Sequence, residues 1–447
     1  MAAEKNTGSP KLARTIGLAG VVVYGIGDMV GAGIYGTTGV AAGVMGNAVW
    51  LAFVGSMIAA MLTGLSYASI SSRYPRAAGA AYVVHRAFRV PYLSYVVGLA
   101  VVASGLTSIA TGSRVFAGFV QPWAGGLPVV SLAVGYLLLL SLVNFRGIKE
   151  SLVMNVVCTV VEVGGLLFII AVGAKFWGSV NYFETPGAID GEGLSVVLVL
   201  SGAVLTFYAF VGFEDLLNLA EETKNPTRNM PLGIVLALVA VAALYIAVSV
   251  TAVSVVPFRE LADVSKGAPT EQIIARAAPW VPPGIFTVIT LFAVANTGLM
   301  NNIMGSRLIY GMARQGLLPS VLGRVHARRR TPHVAIGVLF VVIAILILSG
   351  NIAELASATS LLLLTSFLIV NLSLIILQRR PGEPKGAFEI PWIVPALGAL
   401  VCVGLIGSRL SNGDLRAPVI AGAVLLVITV LYFLTRGRGT ADPEGVE

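Results

Sequence analysis

Four carboxylates lie inside long apolar runs of the sequence, where charged side chains are unexpected. They are Asp28, Glu162, Glu214 and Asp215. A carboxylate at membrane depth costs about 3 kcal/mol or more unless it meets a partner or takes up a proton. The same runs contain no Lys, Arg or His near their middles. We therefore expect these acids to meet a proton, a metal cation or a cationic group on a bound molecule.

Two of the acidic runs also contain glycines that can interrupt a helix. The stretch GIGDMVGAGIYG (25–36) holds five glycines around Asp28, and in FYAFVGFEDLLNLAEE (207–222) Gly212 is followed closely by two acids. A broken helix offers N–H groups to an anion and C=O groups to a cation, and glycine lets a ligand approach them. Close helix packing explains single glycines but not the neighbouring acids. We predict helix breaks at residues 31–33 and near Gly212.

The composition indicates a polytopic α-helical membrane protein around these breaks. Hydrophobic residues make up 57% of the chain and charged residues 11%, and the long apolar blocks lack the alternation of a membrane β-barrel. The predicted spans are 16–45, 47–72, 92–119, 128–145, 151–175, 193–222, 231–256, 282–310, 333–350, 353–378, 391–410 and 417–435.

The two interrupted spans are the first and the sixth, and this offset of five predicts an inverted repeat. Spans one to five (16–175) would match spans six to ten (193–378), with two further helices at 391–435. The expected fold is an all-α polytopic membrane protein with 12 transmembrane helices, in a five-plus-five inverted repeat with broken helices 1 and 6. No extramembrane stretch is long enough for a separate domain.

The basic residues indicate how the chain is oriented. If the N-terminus is cytoplasmic, 22 of the 29 Lys and Arg residues, Arg307 among them, fall on cytoplasmic segments, as the positive-inside rule requires. We therefore expect a multi-pass protein of the cytoplasmic (inner) membrane with cytoplasmic tails at 1–15 and 436–447. The net charge of +8 then belongs to the inner surface, and no nucleic-acid partner is expected. No small-residue cleavage site follows the first apolar run, so we expect no removable signal peptide.

Four motifs, in the correct order, resemble the amino acid–polyamine–organocation (APC) superfamily of transporters over nearly the whole chain. They are VGAGIYG (30–36) in helix 1, YPRAAGAAYVVHRAF (74–88) in the first cytoplasmic loop, AFVGFED with AEETKNPTRNMP (209–215 and 220–231) in and after helix 6, and SRLIYGMARQGLLP (306–319) after helix 8. The resemblance implies the LeuT/APC type of fold and an amino acid permease.

The resemblance also implies that the substrate lies between the two helix breaks. Its carboxylate would rest on the backbone amides of Gly31, Ala32 and Gly33, and its amino group would meet the carbonyls of residues 208–211. The predicted substrate-binding residues are Asp28, Gly31, Ala32, Gly33, Ile34, Tyr208, Ala209, Phe210, Val211 and Gly212.

The predicted gate follows from the same resemblance. Tyr208, four residues before Gly212, matches an aromatic that closes the site from outside, with Phe207 and Phe210 as near alternatives. Glu214 matches a family acid that is implicated in gating or proton sensing. Tyr208, Phe207 and Glu214 are therefore the predicted gating residues.

Helix 5 departs from part of the family. Many relatives have a lysine mid-helix, where sodium binds in sodium-coupled members of the fold, and Glu162 occupies the matching position here. Asn155, Thr159 and Glu162 lie at i, i+4 and i+7, which makes one polar stripe. Glu162 would either take up and release a proton or coordinate a metal cation; we favour a proton over sodium, and expect no other cofactor. The predicted coupling residues are Glu162, Asp28, Asn155, Thr159, Asp215 and Thr297.

Other polar residues are weaker signals. A hydroxyl stripe on span 3 and a polar face on span 8 fit helix packing more simply than substrate binding. The acids at the inner end of helix 6 fit a cytoplasmic gate or a solvated cap. These residues are Ser104, Thr107, Ser108 and Thr111 on span 3, Thr290, Thr297 and Asn301 on span 8, and Glu221 and Glu222 on helix 6.

The sequence therefore predicts a secondary active transporter that carries amino acids by alternating access and is coupled to protons. Asp28 leaves a second reading open, an amine or polyamine transporter in which Asp28 and Glu214 bind the amine. No catalytic constellation and no repeated filter sequence is present, so neither an enzyme nor a channel is expected. The expected partners are a small-molecule substrate and the lipid bilayer.

Overall fold

The computed structural model describes residues 14–76, 79–121, 124–187, 193–263, 268–282, 284–349, 352–411 and 416–435. The predicted tail at 1–15 lies largely, and the tail at 436–447 wholly, outside these residues. The α-helices are, in chain order, α1 (Leu18–Met29), α2 (Ala32–Met45), α3 (Val49–Arg73), α4 (Gly79–Phe88), α5 (Pro91–Val120), α6 (Val129–Arg146), α7 (Ile148–Gly173), α8 (Val196–Thr206), α9 (Pro226–Val255), α10 (Phe258–Leu261), α11 (Pro269–Ala277), α12 (Gly284–Arg314), α13 (His333–Ser349), α14 (Ile352–Arg379), α15 (Ile393–Ser411) and α16 (Arg416–Thr435).

The long helices account for the apolar runs of the sequence. In the described residues, eight helical stretches are long and apolar enough to cross a membrane, and four shorter apolar helices accompany them. All twelve segments predicted as spans are helical, so the prediction of an all-helical membrane protein is confirmed. That all twelve cross the bilayer, and that they form two inverted repeats, stays a prediction.

Three short helices between the long ones were not predicted. They are α4, α10 and α11, and they lie outside the long apolar runs that identified the other helices. α4 packs against α5 and α14, and α11 packs against α7 and α9. A short amphipathic helix that covers the end of a bundle has no apolar run of membrane length, so the search for spans passed over it.

The broken first helix lies in the middle of the molecule. α1 packs against α7, α9 and α12, and α2 packs against α8. Val21 and Tyr24 of α1 have no exposed surface. A polar group in such a helix can be satisfied only by protein or by a bound ligand. The fold therefore presents the ends of α1 and α2 to the interior.

The segment before α1 is joined to the C-terminal end of the sixth span. Ile16 and Thr223 form a parallel bridge. The N–H groups of Thr15 and Ile16 donate to the carbonyl of Glu222 at 2.9 and 3.0 Å, and the N–H of Lys224 donates to the carbonyl of Ile16 at 2.7 Å. We call this side of the molecule the N-terminal face; it is the side predicted to be cytoplasmic.

Candidate functional site

The first span is interrupted for two residues. α1 ends at Met29, Val30 has φ −78° and ψ 85°, Gly31 is extended with φ −136° and ψ −154°, and α2 begins at Ala32. The last carbonyls of α1 and the first N–H groups of α2 have no partner within their own helix. The N-terminus of α2 therefore suits an anion. The break lies at the start of the predicted segment.

The sixth span is interrupted at Gly212. α8 ends at Thr206, a 3-10 helix follows over Phe207–Phe210, and another begins at Phe213. Gly212 has φ 132°, which side-chain-bearing residues rarely adopt. A Cβ atom there would also lie 3.0 Å from the backbone carbonyl carbon of Asp28. The two breaks are thus in direct contact, and this contact requires glycine.

A cavity of about 200 Å³ adjoins both breaks. Residues of α5, α12 and α14 complete its lining, together with Phe207 and Tyr208 of the sixth span. Tyr208 is 47% exposed, whereas Phe207 is buried. A cavity of this size accommodates a molecule somewhat larger than benzene. The arrangement can therefore hold one small molecule against free backbone groups of both helices.

Three carboxyl groups face this cavity. Asp28, Glu214 and Asp215 line it, and each is at most 5% exposed. They are close enough to interact electrostatically, and Asp28 Oδ2 and Asp215 Oδ1 have no hydrogen-bond partner. The cavity lining includes no Lys, Arg or His among the residues that the structure describes. Buried acids without a protein cation need protons or a positive charge from a ligand.

Glu214 also shapes the break itself. One of its oxygens accepts a hydrogen bond from the N–H of Gly212 at 2.8 Å. A helix break leaves such N–H groups without their regular partner, and a buried N–H needs another acceptor. The carboxyl of Glu214 is therefore tied to the geometry of the sixth span, and its gating role stays a prediction.

A second polar cluster lies against α1 outside the cavity lining. Asn296 Nδ2 donates to the carbonyl of Gly27 at 3.0 Å, and Asn155 Nδ2 donates to Asn296 Oδ1 at 2.9 Å. A Cβ atom at Gly27 would lie 2.1 Å from Thr159 Oγ1, so the cluster reaches the helix backbone because this residue is glycine. Glu162 is fully buried beside the cluster and interacts with the side chain of Asn296, although neither of its carboxyl oxygens makes a hydrogen bond of standard geometry.

The structure divides the predicted site residues into two groups. Those that line the cavity are Asp28, Gly31, Gly33, Phe207, Tyr208, Ala209, Val211, Gly212, Glu214, Asp215 and Thr297. Ile34, Phe210, Asn155, Thr159 and Glu162 are buried but do not line it. Ala32 begins α2 at the break, and its side chain lies outside the described structure. The predicted coupling set is therefore split between the cavity and the cluster at Gly27.

Several lining residues were not among the predicted site residues. The hydroxyl stripe of α5 lines the cavity, and so does Asn301 of α12. Thr111 Oγ1 is buried without a hydrogen-bond partner, whereas Thr107 Oγ1 donates to the carbonyl of Ala103 in its own helix at 3.1 Å. The spacing of the stripe was visible in the sequence, but the same spacing suits helix packing. The members of the stripe are Ser104, Thr107, Ser108 and Thr111.

A buried ion pair lies at the N-terminal face. Arg307 of α12 donates to both carboxyl oxygens of Glu222, with 3.2 Å between Nη2 and Oε1. Its Nη1 also lies 3.3 Å from Asn144 Oδ1. The side chains of Arg307 and Glu222 are 0% and 1% exposed. The reading of Glu222 as a solvated cap is therefore wrong, because its charge is neutralised inside the protein.

Comparison with known sequences gives one family and several similar proteins. A sequence model of the amino acid permease family matches residues 16–434. The branched-chain amino acid permease BcaP of Bacillus subtilis is 28% identical over 90% of this chain and 89% of its own length. The methylthioribose transporter of the same organism is 29% identical over 88% of each chain.

A eukaryotic protein is similar at the same level. Cationic amino acid transporter 4 of Mus musculus is 29% identical over 86% of this chain, which corresponds to 63% of its own length. The names of all three proteins describe permeases or transporters, and none describes an enzyme. Their named substrates differ in charge and in size.

Proposed function

The chain belongs to the amino acid permease family, and on that premise we propose that it transports amino acids by alternating access. The observation that supports this most is the cavity at two touching helix breaks. The free N–H groups at the start of α2 suit a carboxylate, and the acids beside them suit an ammonium group. The proposed location is the cytoplasmic membrane, with both termini on the cytoplasmic side.

The charge of the cavity favours an amino acid that has a second positive group. A neutral amino acid brings one ammonium to Asp28, Glu214 and Asp215, whereas arginine or lysine brings two positive charges. The similar proteins include carriers named for cationic and for branched-chain amino acids, so the choice rests on the chemistry of the lining. We therefore propose cationic amino acids as the preferred substrates.

The same acids support a second candidate, the transport of an amine or polyamine without a carboxylate. Such a molecule would use Asp28 and its neighbours but would leave the N-terminus of α2 without an anion. The two candidates thus differ in one group of the ligand, its carboxylate.

Counterflow in proteoliposomes separates the candidates. We expect labelled arginine to exchange strongly, leucine weakly, and putrescine and methylthioribose not at all. Exchange of putrescine without arginine would favour the amine transporter. If none of the four ligands exchanges and none stabilises the purified protein against heat, both candidates fail.

We further propose that uptake is coupled to protons through Glu162. Its carboxyl is buried next to Asn296, which contacts α1 at the Gly27 carbonyl, so its charge can respond to movement of that helix. Glu162→Gln should abolish uptake driven by a pH gradient and leave substrate affinity within about twofold. Glu150→Gln, an exposed acid of the same helix, is the matched control and should behave as wild type.

The dependence of uptake on an imposed ion gradient distinguishes proton coupling from sodium coupling. Proteoliposomes with an imposed pH gradient or an imposed sodium gradient report the coupling ion directly. Wild-type uptake that follows only the sodium gradient would favour a cation at Glu162. Unchanged uptake by Glu162→Gln under a pH gradient would exclude Glu162 as the proton carrier.

A further inference from the structure

One tyrosine hydroxyl touches the backbone of both helix breaks. Tyr245 of α9 is fully buried. Its hydroxyl lies 2.7 Å from the carbonyl oxygen of Met29, at the end of α1, and 3.1 Å from that of Ala209, in the sixth span. Met29 and Ala209 both line the cavity, and Tyr245 does not. The phenol therefore contacts the site from behind, through main-chain atoms.

The break leaves the carbonyl of Ala209 without its regular partner. In a 3-10 helix the carbonyl of residue i accepts from the N–H of residue i+3. For Ala209 that donor is Gly212, whose N–H donates to Glu214 instead. A buried carbonyl needs a donor, and the Tyr245 hydroxyl is placed to supply one.

A single hydroxyl proton cannot fully satisfy two carbonyls at once. A tyrosine donates one hydrogen bond, and the shorter of these two contacts is to Met29, whose carbonyl also accepts from the N–H of Gly31 at 3.0 Å. The hydroxyl proton is therefore shared between one carbonyl of each break, so that a single atom of α9 ties the two main-chain segments together.

We propose that Tyr245 is a positioning residue whose hydroxyl holds the carbonyls of the two breaks in register. The fixed spacing of the breaks needs no ligand; only its effect on substrate affinity rests on the proposed function.

The surroundings of Tyr245 keep its ring in place without the hydroxyl. The ring packs edge-on against Phe53 and Phe210, with centroid distances of 5.8 and 5.2 Å. Tyr245→Phe therefore removes the donor and retains the aromatic packing. Tyr136→Phe is the matched control, because Tyr136 is also buried and its hydroxyl donates to a helix carbonyl, that of Val294, at 3.1 Å.

Two measurements test the fixed spacing of the breaks and its effect on binding separately. Hydrogen exchange followed by mass spectrometry should show several-fold faster exchange at residues 26–36 and 206–216 in Tyr245→Phe, and no change there in Tyr136→Phe. Arginine counterflow should show a KM about tenfold higher for Tyr245→Phe at an unchanged maximal rate, because breaks that are no longer held in register bind the ligand less well and one hydrogen bond is worth a factor of that order.

The outcomes are distinguishable. Wild-type exchange rates at both breaks in Tyr245→Phe would overturn the proposal whatever the substrate is. Faster exchange with an unchanged KM would overturn the positioning role of Tyr245 in binding, because the register of the breaks would then not affect substrate affinity. If the wild-type protein moves none of the ligands, the proposed function fails, and the exchange rates alone still decide whether Tyr245 holds the breaks.

Discussion

Two buried acidic regions of this protein differ in how the charge of their carboxylates is compensated. At the N-terminal face, Glu222 is neutralised by Arg307 and the pair is supported by Asn144. At the helix breaks, Asp28 and Asp215 are also buried, but the described lining of their cavity includes no basic side chain. In the first region a protein side chain supplies the positive charge. In the second, a proton or a ligand has to supply it.

The comparison separates stability from binding. A buried charge that loses its partner is strongly destabilising, because nothing else compensates for its desolvation. The opposite holds for a buried acid that has no protein partner. A substitution that neutralises it removes a charge that nothing compensates, so it does not destabilise the fold in this way. Substitutions in the first region should therefore change folding, and those in the second should change ligand affinity.

The largest expected effect comes from Arg307→Met. This change leaves Glu222 buried without its cation and should lower the free energy of unfolding by about 3–5 kcal/mol. Thermal unfolding of the purified protein, followed by tryptophan fluorescence, measures the loss.

The double variant Arg307→Met/Glu222→Gln is its control. Removal of both charges should restore much of the stability, because no unpaired charge remains. Equal losses in the single and double variants would mean that packing, and not charge pairing, dominates at this position.

A smaller effect on affinity and none on folding is expected from Asp28→Asn. The substitution removes one charge-assisted hydrogen bond to a cationic ligand, which corresponds to about 10- to 150-fold weaker binding of arginine. Binding of leucine serves as the internal control and should change less. The contrast between the two regions is lost if Asp28→Asn unfolds the protein, or if it weakens both ligands equally.

The smallest effect is expected at an ion pair on the rim of the N-terminal face, outside the spans. Glu383 accepts hydrogen bonds from Arg86 Nε at 2.6 Å and from the Tyr74 hydroxyl at 2.7 Å. Partial burial alone would raise the pKa of Glu383, but these hydrogen bonds and the charge of Arg86 outweigh it and hold the pKa below its ordinary value. The ionised carboxyl is therefore the form that stabilises the fold.

Glu383→Gln should lower the free energy of unfolding by about 1 kcal/mol at neutral pH. Because the folded-state pKa is lowered, the contribution of Glu383 is complete above the ordinary pKa of about 4.3 and is lost as the pH falls through the lowered value. The difference between wild type and variant should narrow below about pH 4 in thermal unfolding. A difference that is constant from neutral to acidic pH would contradict this assignment.

The break residues could be predicted from the sequence because acids are rare in membrane-length apolar runs and glycine weakens a helix. Acids such as Asp28 and Asp215 stand out in apolar runs, and a glycine such as Gly212 marks where a helix can end. The structure adds that these residues come from separate spans and meet at one cavity, with Gly212 against the backbone of Asp28.

Other features could not be read from local patterns. Tyr245 lies in an apolar run, where a tyrosine resembles ordinary packing until its two carbonyl partners are known. Arg307 begins a series of basic residues that the sequence analysis assigned only to the cytoplasmic segments, and its partner Glu222 lies 85 positions away in the chain. Long-range pairing of this kind depends on how the helices pack, which neither periodicity nor charge counting encodes.

The bridge between Ile16 and Thr223 couples the segment before α1 to the C-terminal end of the sixth span. Thr15 and Ile16 are bonded through their main chain to Glu222, the same residue that Arg307 neutralises. Movement of Thr15 and Ile16 is therefore coupled to movement of that end of the span. A reporter group attached at the exposed residue Arg14 would report on it.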